Sequence, residues 1–131
     1  MMHLLRLIVV LCLLPLSVWA QQSTVQDLRF APGTYSGVVT ETITGWQTRE
    51  YILGASAGQV MTVTLSTKMN AYFGILQPAG PGKNDLGVEY YGTVTETLPY
   101  SGDYMIRVYM RGDDAHAGRT GRFTLTVTIT D

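Results

Sequence analysis

Cysteine and histidine are nearly absent from this chain of 131 residues, which contains one cysteine and two histidines. Cys12 and His3 both lie in an apolar leader, so the remainder of the chain has no thiol and one imidazole, that of His116. Without cysteine no disulfide framework can form, and a zinc site would lack the nitrogen and sulfur ligands that zinc prefers. The folded part must therefore be held together by its core.

Groups that could perform catalysis are equally scarce. A Ser-His-Asp arrangement would have to use His116, and no serine lies in a G-x-S-x-G turn. Asp113 and Asp114 are paired carboxylates, but neighbouring side chains on an extended segment point in different directions. The carboxylates of a glycosidase instead face each other across the substrate. We therefore expect a protein that is not an enzyme.

The same two aspartates and His116 form a cluster of metal-ligating residue types. Their spacing does not match a calcium-binding EF-hand loop, and zinc would require more nitrogen or sulfur ligands. We expect no metal ion and no cofactor. Instead, the aspartates are predicted to cap backbone N–H groups of their loop or to pair with Arg111 and Arg119.

A basic excess is also missing. The formal net charge is −1, and it becomes −2 when Arg6 is removed with the leader. Nucleic-acid binding proteins displace phosphate counterions with a surplus of Lys and Arg, so the charge argues against this class. The distribution is uneven, however, because four of the basic residues lie between Arg107 and Arg122.

The leader has the features of a secretory signal peptide. A short basic start with Arg6 is followed by an apolar run, Leu7–Leu14, and by small residues that end at Ala20. The run is shorter than the ~20 apolar residues of a membrane-spanning helix. The sequence thus predicts cleavage after Ala20, no stable membrane anchor, and one exported domain over residues 21–131.

Alternation of apolar and polar residues with a period of two dominates this domain. In "RFTLTVTIT" the apolar residues fall on one face and the threonines on the other, which is typical of an antiparallel sheet with one wet face. No long segment has helical periodicity. The pattern predicts an all-β fold, an antiparallel β-sandwich of about seven to eight short strands. Seven of these are placed at Thr34–Ile43, Arg49–Ala55, Gln59–Thr67, Ala71–Leu76, Gly92–Leu98, Gly102–Met110 and Arg122–Thr130.

The segment between the last two strands is the strongest candidate for a functional site. As a hairpin connection it is longer than the ~2–5 residues that hairpin loops commonly use. Arg111 and Arg119 supply forked donors that suit carboxylates, and His116 adds a further donor. Composition alone leaves a binding loop and a solvated connection evenly matched.

Three stretches resemble a known family: "REYILGASAGQVMTVTLST", "AYFGILQP" and "LPYSGDYMIRVYMRGDDAHAGRTGRFTLTVTI". In this order they are similar to the small secreted β-sandwich modules of bacterial pre-peptidase C-terminal type. Within that group the chain most resembles the periplasmic inhibitors of g-type lysozyme, from Tyr35 to Ile129. The resemblance implies a periplasmic β-sandwich whose partner is a g-type lysozyme.

The resemblance also implies how the partner is bound. In this family a protruding loop enters the enzyme's cleft, and the matching loop here runs from Arg111 to Arg122. The family loop is richer in Arg and Lys, and here Gly112 and His116 stand where basic residues are expected. Trp46, in "ITGW", falls on a family aromatic, although core packing accounts for it equally well. The implied contacts are the probes Arg111, His116 and Arg119, the loop organisers Asp113 and Asp114, and the flanking Trp46.

A second hypothesis stays open from the residues themselves. Exposed Trp46 and the pair Tyr90-Tyr91 could stack on sugar rings. The chain would then be a non-enzymatic cell-envelope module that binds carbohydrate, peptidoglycan or another protein.

Overall fold

The computed structural model of the chain describes residues 24–30, 35–78 and 89–131. The predicted signal peptide and its cleavage site lie outside the described residues. Nine strands and one short helix are present in the described part. They are β1 (Thr24–Asp27), β2 (Ser36–Thr44), β3 (Thr48–Ala55), β4 (Val60–Thr67), β5 (Ala71–Leu76), β6 (Glu89–Tyr90), β7 (Thr93–Thr97), β8 (Gly102–Met110), α1 (Gly112–His116) and β9 (Thr120–Thr130).

The strands form two sheets, and the predicted β-sandwich is confirmed. One sheet has the order β1-β3-β8-β5-β6, and the other has the order β2-β9-β4-β7. Only β1 and β3 pair in parallel; the other described pairs are antiparallel. The two strands beyond the predicted seven are β1 and the two-residue β6, which lie at the edges of the larger sheet.

The period-two pattern explains why these segments pair and which face each one buries. On β9, Phe123, Leu125, Val127 and Ile129 are buried, as the alternation predicts. The inward residues of β4 and β8 join them, so the core lies between the two sheets. On the outer face, threonines of neighbouring strands bond each other, as between the hydroxyls of Thr64 and Thr93 at 3.1 Å. These threonine hydroxyls form hydrogen bonds across neighbouring strands, and the outer face of the sheet stays exposed to solvent.

Three connections that cross between the sheets lie at the same end of the sandwich. Register places them there, because Thr44 pairs with Thr120, Thr67 with Phe123, and Ala71 with Met110. We call this the loop end, and define it by residues 45–47 (between β2 and β3), 68–70 (between β4 and β5) and 111–119 (between β8 and β9).

The connection between β8 and β9 differs from the expected one in two ways. It is not a hairpin, because β8 belongs to the larger sheet and β9 to the smaller one. It is also not wholly irregular: Gly112–His116 form the short helix α1, and β9 begins at Thr120 rather than Arg122. A helix of five residues is too short to give a periodic signal in sequence. The connection therefore bridges the two layers, which makes it the cover of one end of the core.

Candidate functional site

The helix α1 is fixed at its centre by the core and at its ends by glycine. Ala115 is buried, whereas its neighbours on either side are more exposed. Gly112 and Gly118 have φ angles of 62° and 67°, a left-handed conformation that is costly for other residues. At position 112, where the family is expected to have a basic residue, the backbone thus favours glycine. Backbone bonds from Gly118 N–H to the Ala115 carbonyl (3.1 Å) and from Arg119 N–H to the Asp114 carbonyl (3.0 Å) close the turn.

Asp114 ties this connection to the one between β4 and β5. Its carboxylate accepts hydrogen bonds from the backbone N–H of Asn70 and from Nη1 of Arg119, both at 2.8 Å. The Asn70 N–H, and then the Arg119 guanidinium, lower the pKa of Asp114 below its usual value. Asn70 is bonded twice more to Arg111: its carbonyl accepts from the Arg111 N–H, and its amide donates to the Arg111 carbonyl. The prediction that an aspartate pairs with Arg119 is therefore correct for Asp114, whereas the backbone N–H that it accepts from belongs to another connection and not to its own loop.

Asp113 does not share this role. It is exposed, and within the described residues no hydrogen bond or ion pair reaches its carboxylate. The two adjacent carboxylates thus have different contacts.

Trp46 lies in the tight turn between β2 and β3, beside the same connection. Gly45, with a φ of 57°, donates its N–H to the Arg119 carbonyl at 3.0 Å. Gln47 closes the turn from the other side, since its side-chain oxygen accepts from the Thr44 N–H at 3.0 Å. The indole is 48% exposed and is not part of the core, so core packing does not account for it.

Arg111 is paired with a residue that sequence reasoning missed. Its Nη1 lies 2.7 and 2.9 Å from the two carboxylate oxygens of Glu89, not from either aspartate of its own loop. The Tyr109 hydroxyl also donates to Glu89, and this bond, followed by that of Arg111, lowers the pKa of the Glu89 carboxyl. The prediction that an aspartate pairs with Arg111 is wrong, because its guanidinium is paired with Glu89 instead.

The other partner that sequence reasoning missed is Asn70. A signal was available, because "KMN" stands between two alternating segments, where asparagine commonly makes turn hydrogen bonds. This signal does not identify the residue that Asn70 contacts, because that residue is distant in the chain. For Glu89, which belongs to the two-residue strand β6, the sequence offers no comparable signal.

The fold brings all six predicted site residues to the loop end. Arg111 and Arg119 have side chains that are 58% and 60% exposed, and His116 is exposed on α1. In residues 24–30, 35–78 and 89–131, no group of three or more His, Cys, Asp or Glu is placed to hold a metal ion. Within the same part of the chain, no helix has the length and apolar character needed to cross a membrane. A sandwich with a tethered, charged and aromatic end has an architecture suited to binding, since functional residues are commonly carried by loops on a folded scaffold.

Comparison with solved structures places the chain in a family. It is similar to PliG of Aeromonas hydrophila, a periplasmic lysozyme inhibitor of g-type lysozyme, with 34% identity and a TM-score of 0.75. That similarity covers 83% of this chain and 98% of the other. No protein-family model matches the chain, and a search of curated proteins gave no match. The chain belongs to the family of periplasmic inhibitors of g-type lysozyme, as the resemblance in sequence predicted.

More distant structures share the fold. PliG of Salmonella Typhimurium and a mutant PliG of Escherichia coli are 22% and 24% identical, each with a TM-score of 0.64. They are covered to 98% and 97% of their length by 83% and 81% of this chain. A pre-peptidase C-terminal domain of a Bacillus anthracis collagenase is 10% identical, with a TM-score of 0.55, over 82% of this chain and 96% of that domain. These likenesses confirm the predicted sandwich fold.

Proposed function

We propose that this chain inhibits a g-type lysozyme and that its loop end enters and blocks the enzyme's cleft. The observation that carries the proposal is the similarity to the Aeromonas hydrophila inhibitor, which extends over nearly the whole length of that protein. The chain acts by binding and not by catalysis, which agrees with the scarcity of catalytic groups in its sequence.

The chemistry of the target explains why arginines at the loop end suit this role. A muramidase cleft carries carboxylates for acid–base work. Arg111 and Arg119 each use Nη1 to hold a carboxylate of their own chain. Because a guanidinium has five N–H donors, Nε and Nη2 can still bond a carboxylate of the enzyme. The internal partners then fix the direction in which each guanidinium is presented.

Pre-organisation of the loop end lowers the entropic cost of binding. Asp114 and Asn70 hold the segment 111–119 against residues 68–70, and the bond from Gly45 to Arg119 holds it against the turn of Trp46. Few backbone angles remain to be fixed when the partner arrives, so more of the contact energy is expressed as affinity. Trp46 supplies apolar area beside the charged groups, a combination common at the energetic centres of interfaces.

The site of action follows from the leader and the relatives. We propose that residues 1–20 are a signal peptide cleaved after Ala20 and that residues 21–131 form a single periplasmic domain. The related inhibitors are themselves periplasmic proteins. Amino-terminal sequencing of the exported protein tests the cleavage position: a mature chain that begins at Gln21 supports it, and a retained leader contradicts it.

An inhibition titration tests the function. The purified domain is added in increasing amounts to a g-type lysozyme, with a c-type lysozyme as the matched control. We expect the activity of the g-type enzyme to fall to near zero at an equimolar ratio, while the c-type enzyme keeps its activity. Undiminished g-type activity, with a β-rich circular dichroism spectrum that shows the domain folded, would overturn the proposal.

A further inference from the structure

A concave surface lies at the junction of the two sheets and overlaps the loop end at residues 69 and 70. It is an open depression of about 390 Å³ whose lining includes Thr67, Met69, Asn70, Tyr72 and Tyr91. This volume lies in the range of pockets that take small molecules. Met69 and Asn70 of this lining belong to the loop end, but the side chains proposed to contact the lysozyme are not part of the lining.

Two tyrosines give the depression its shape. The rings of Tyr72 and Tyr91 stand nearly perpendicular, with an interplanar angle of 80° and centroids 6.4 Å apart. We call this pair of rings the Tyr72–Tyr91 corner. Tyr91 is 77% exposed, which is unusual for a large ring and leaves its faces accessible to a ligand. Tyr90, by contrast, packs on Phe73 with centroids 5.5 Å apart, so only one tyrosine of the Tyr90-Tyr91 pair is available for stacking.

The corner is supported from behind. Tyr72 stacks on Tyr109 with an interplanar angle of 25°, and the Tyr109 hydroxyl is bonded to Glu89. Near Tyr91, the carbonyl of Gly92 accepts a bond from the Leu65 N–H at 2.8 Å, which attaches that turn to β4. The Tyr72 ring is therefore held on the larger sheet, and the backbone beside Tyr91 is held by the smaller one.

The chemistry of the corner suits a neutral sugar. Exposed aromatic rings accept the apolar C–H face of a pyranose, while their hydroxyls and the side-chain oxygen of Asn70 can bond its hydroxyl groups. The residues that line the depression include no charged side chain, which favours a neutral ligand over an ionic one. We infer that the Tyr72–Tyr91 corner is a binding site for one or two units of a neutral saccharide.

Binding of a saccharide in the absence of any lysozyme tests this inference. The probe is tri-N-acetylchitotriose, titrated into the isotope-labelled domain while the Tyr72 and Tyr91 ring signals are followed by NMR. We expect saturable shifts with a Kd of about 1 mM, typical of a shallow site. The Tyr91→Ala variant should bind at least about tenfold more weakly, because it removes one wall of the corner. Tyr35→Ala, which removes another exposed tyrosine near the other end of β2, is the matched control and should bind as the unaltered domain does.

The outcomes of the saccharide titration do not depend on the inhibitory function. Shifts lost in Tyr91→Ala and kept in Tyr35→Ala support the site. The absence of shifts in the unaltered domain, or equal shifts in Tyr91→Ala, overturns it. If Tyr91→Ala instead weakens lysozyme inhibition while the saccharide fails to bind, the surface is part of the protein interface and the inference is wrong.

Discussion

The carboxylate of Asp114 accepts a hydrogen bond from the backbone N–H of Asn70 at 2.8 Å, although the two residues are 44 positions apart in the chain. Through this bond a side chain on α1 holds the backbone of the connection between β4 and β5 in place. The same carboxylate holds Arg119, so one group fixes both the backbone of the loop end and one of its proposed contacts. The adjacent Asp113 provides a matched comparison because its side chain takes no part in these bonds.

Replacement of Asp114 by Asn should loosen the loop end. The change removes the charge that strengthens the bonds to Asn70 and Arg119 while keeping the size of the side chain. We expect the amides of Asn70 and of residues 111–119 to exchange with solvent several-fold faster, as measured by hydrogen–deuterium exchange. Asp113→Asn is the control and should exchange at the original rate. Equal effects of the two substitutions would contradict the role given to Asp114.

Acid should have the same effect as that substitution. The pKa of Asp114 is lower in the folded chain than the value of about 3.9 for a free aspartate. A group with a depressed folded pKa stabilises the fold fully above the unfolded pKa, and this stabilisation is lost as pH falls through the folded pKa. Protection of the Asn70 amide should therefore be constant above about pH 5 and decline below about pH 4. The Asp114→Asn variant should show no such decline, and an equally steep decline in that variant would refute the assignment.

Removal of the Tyr51 hydroxyl should stabilise the domain. Tyr51 is buried on β3 and packs edge-on against Phe123 with ring centroids 6.5 Å apart. Its hydroxyl is buried and has no hydrogen-bond partner in the part of the chain that the structure describes, and this burial raises its pKa well above the ordinary value. A buried hydroxyl without a partner costs free energy, so Tyr51→Phe should raise the free energy of unfolding by about 1 kcal/mol. Chemical denaturation measures the change, and a loss of stability would show that the hydroxyl is satisfied by a group such as an ordered water.

The two arginines of the loop end should matter for inhibition and little for stability. The double variant Arg111→Ala, Arg119→Ala removes both guanidinium groups proposed to reach the enzyme's carboxylates. We expect inhibition of g-type lysozyme to weaken at least about tenfold, as for truncated arginines at the centre of an interface. The melting temperature should change little because exposed ion pairs add little to stability.

Arg107→Ala is the matched control for that double variant. Arg107 also holds a carboxylate, that of Glu50 at 2.7 Å, but it lies within β8 and outside the loop end. Its removal should leave inhibition unchanged. Equal weakening by the control would point to a general charge effect and would contradict specific contacts at the loop end.

The strands were predictable because burial imposes a period of two on them. The burial of Phe123 and of the alternate residues that follow it on β9 could be predicted from the local alternation alone, so no knowledge of distant residues was needed. The pairing of the sheets was not predictable in the same way. β8 and β9 are neighbours in sequence but belong to different sheets, so the segment between them resembled a long hairpin loop.

The sequence indicated which residues form the candidate site, but it did not indicate their contacts. The concentration of arginine, aspartate and glycine, together with a family resemblance, indicated residues 111–122 and Trp46. The partners Asn70 and Glu89 come from distant positions and are brought in by the two-sheet topology. A sequence shows which side chains need a partner, but only the fold decides which of several carboxylates an arginine meets.

The central claim is that the loop end is the surface which engages the lysozyme, and an exchange footprint of the complex tests it most directly. Amide hydrogen–deuterium exchange is measured for the domain alone and for its complex with a g-type lysozyme. The account predicts slower exchange at residues 44–48 and 111–119, with no change in the turns at the other end of the sandwich, 56–59 and 99–101. Protection confined to those opposite turns, or no protection at the loop end of a domain that inhibits the enzyme, would contradict it.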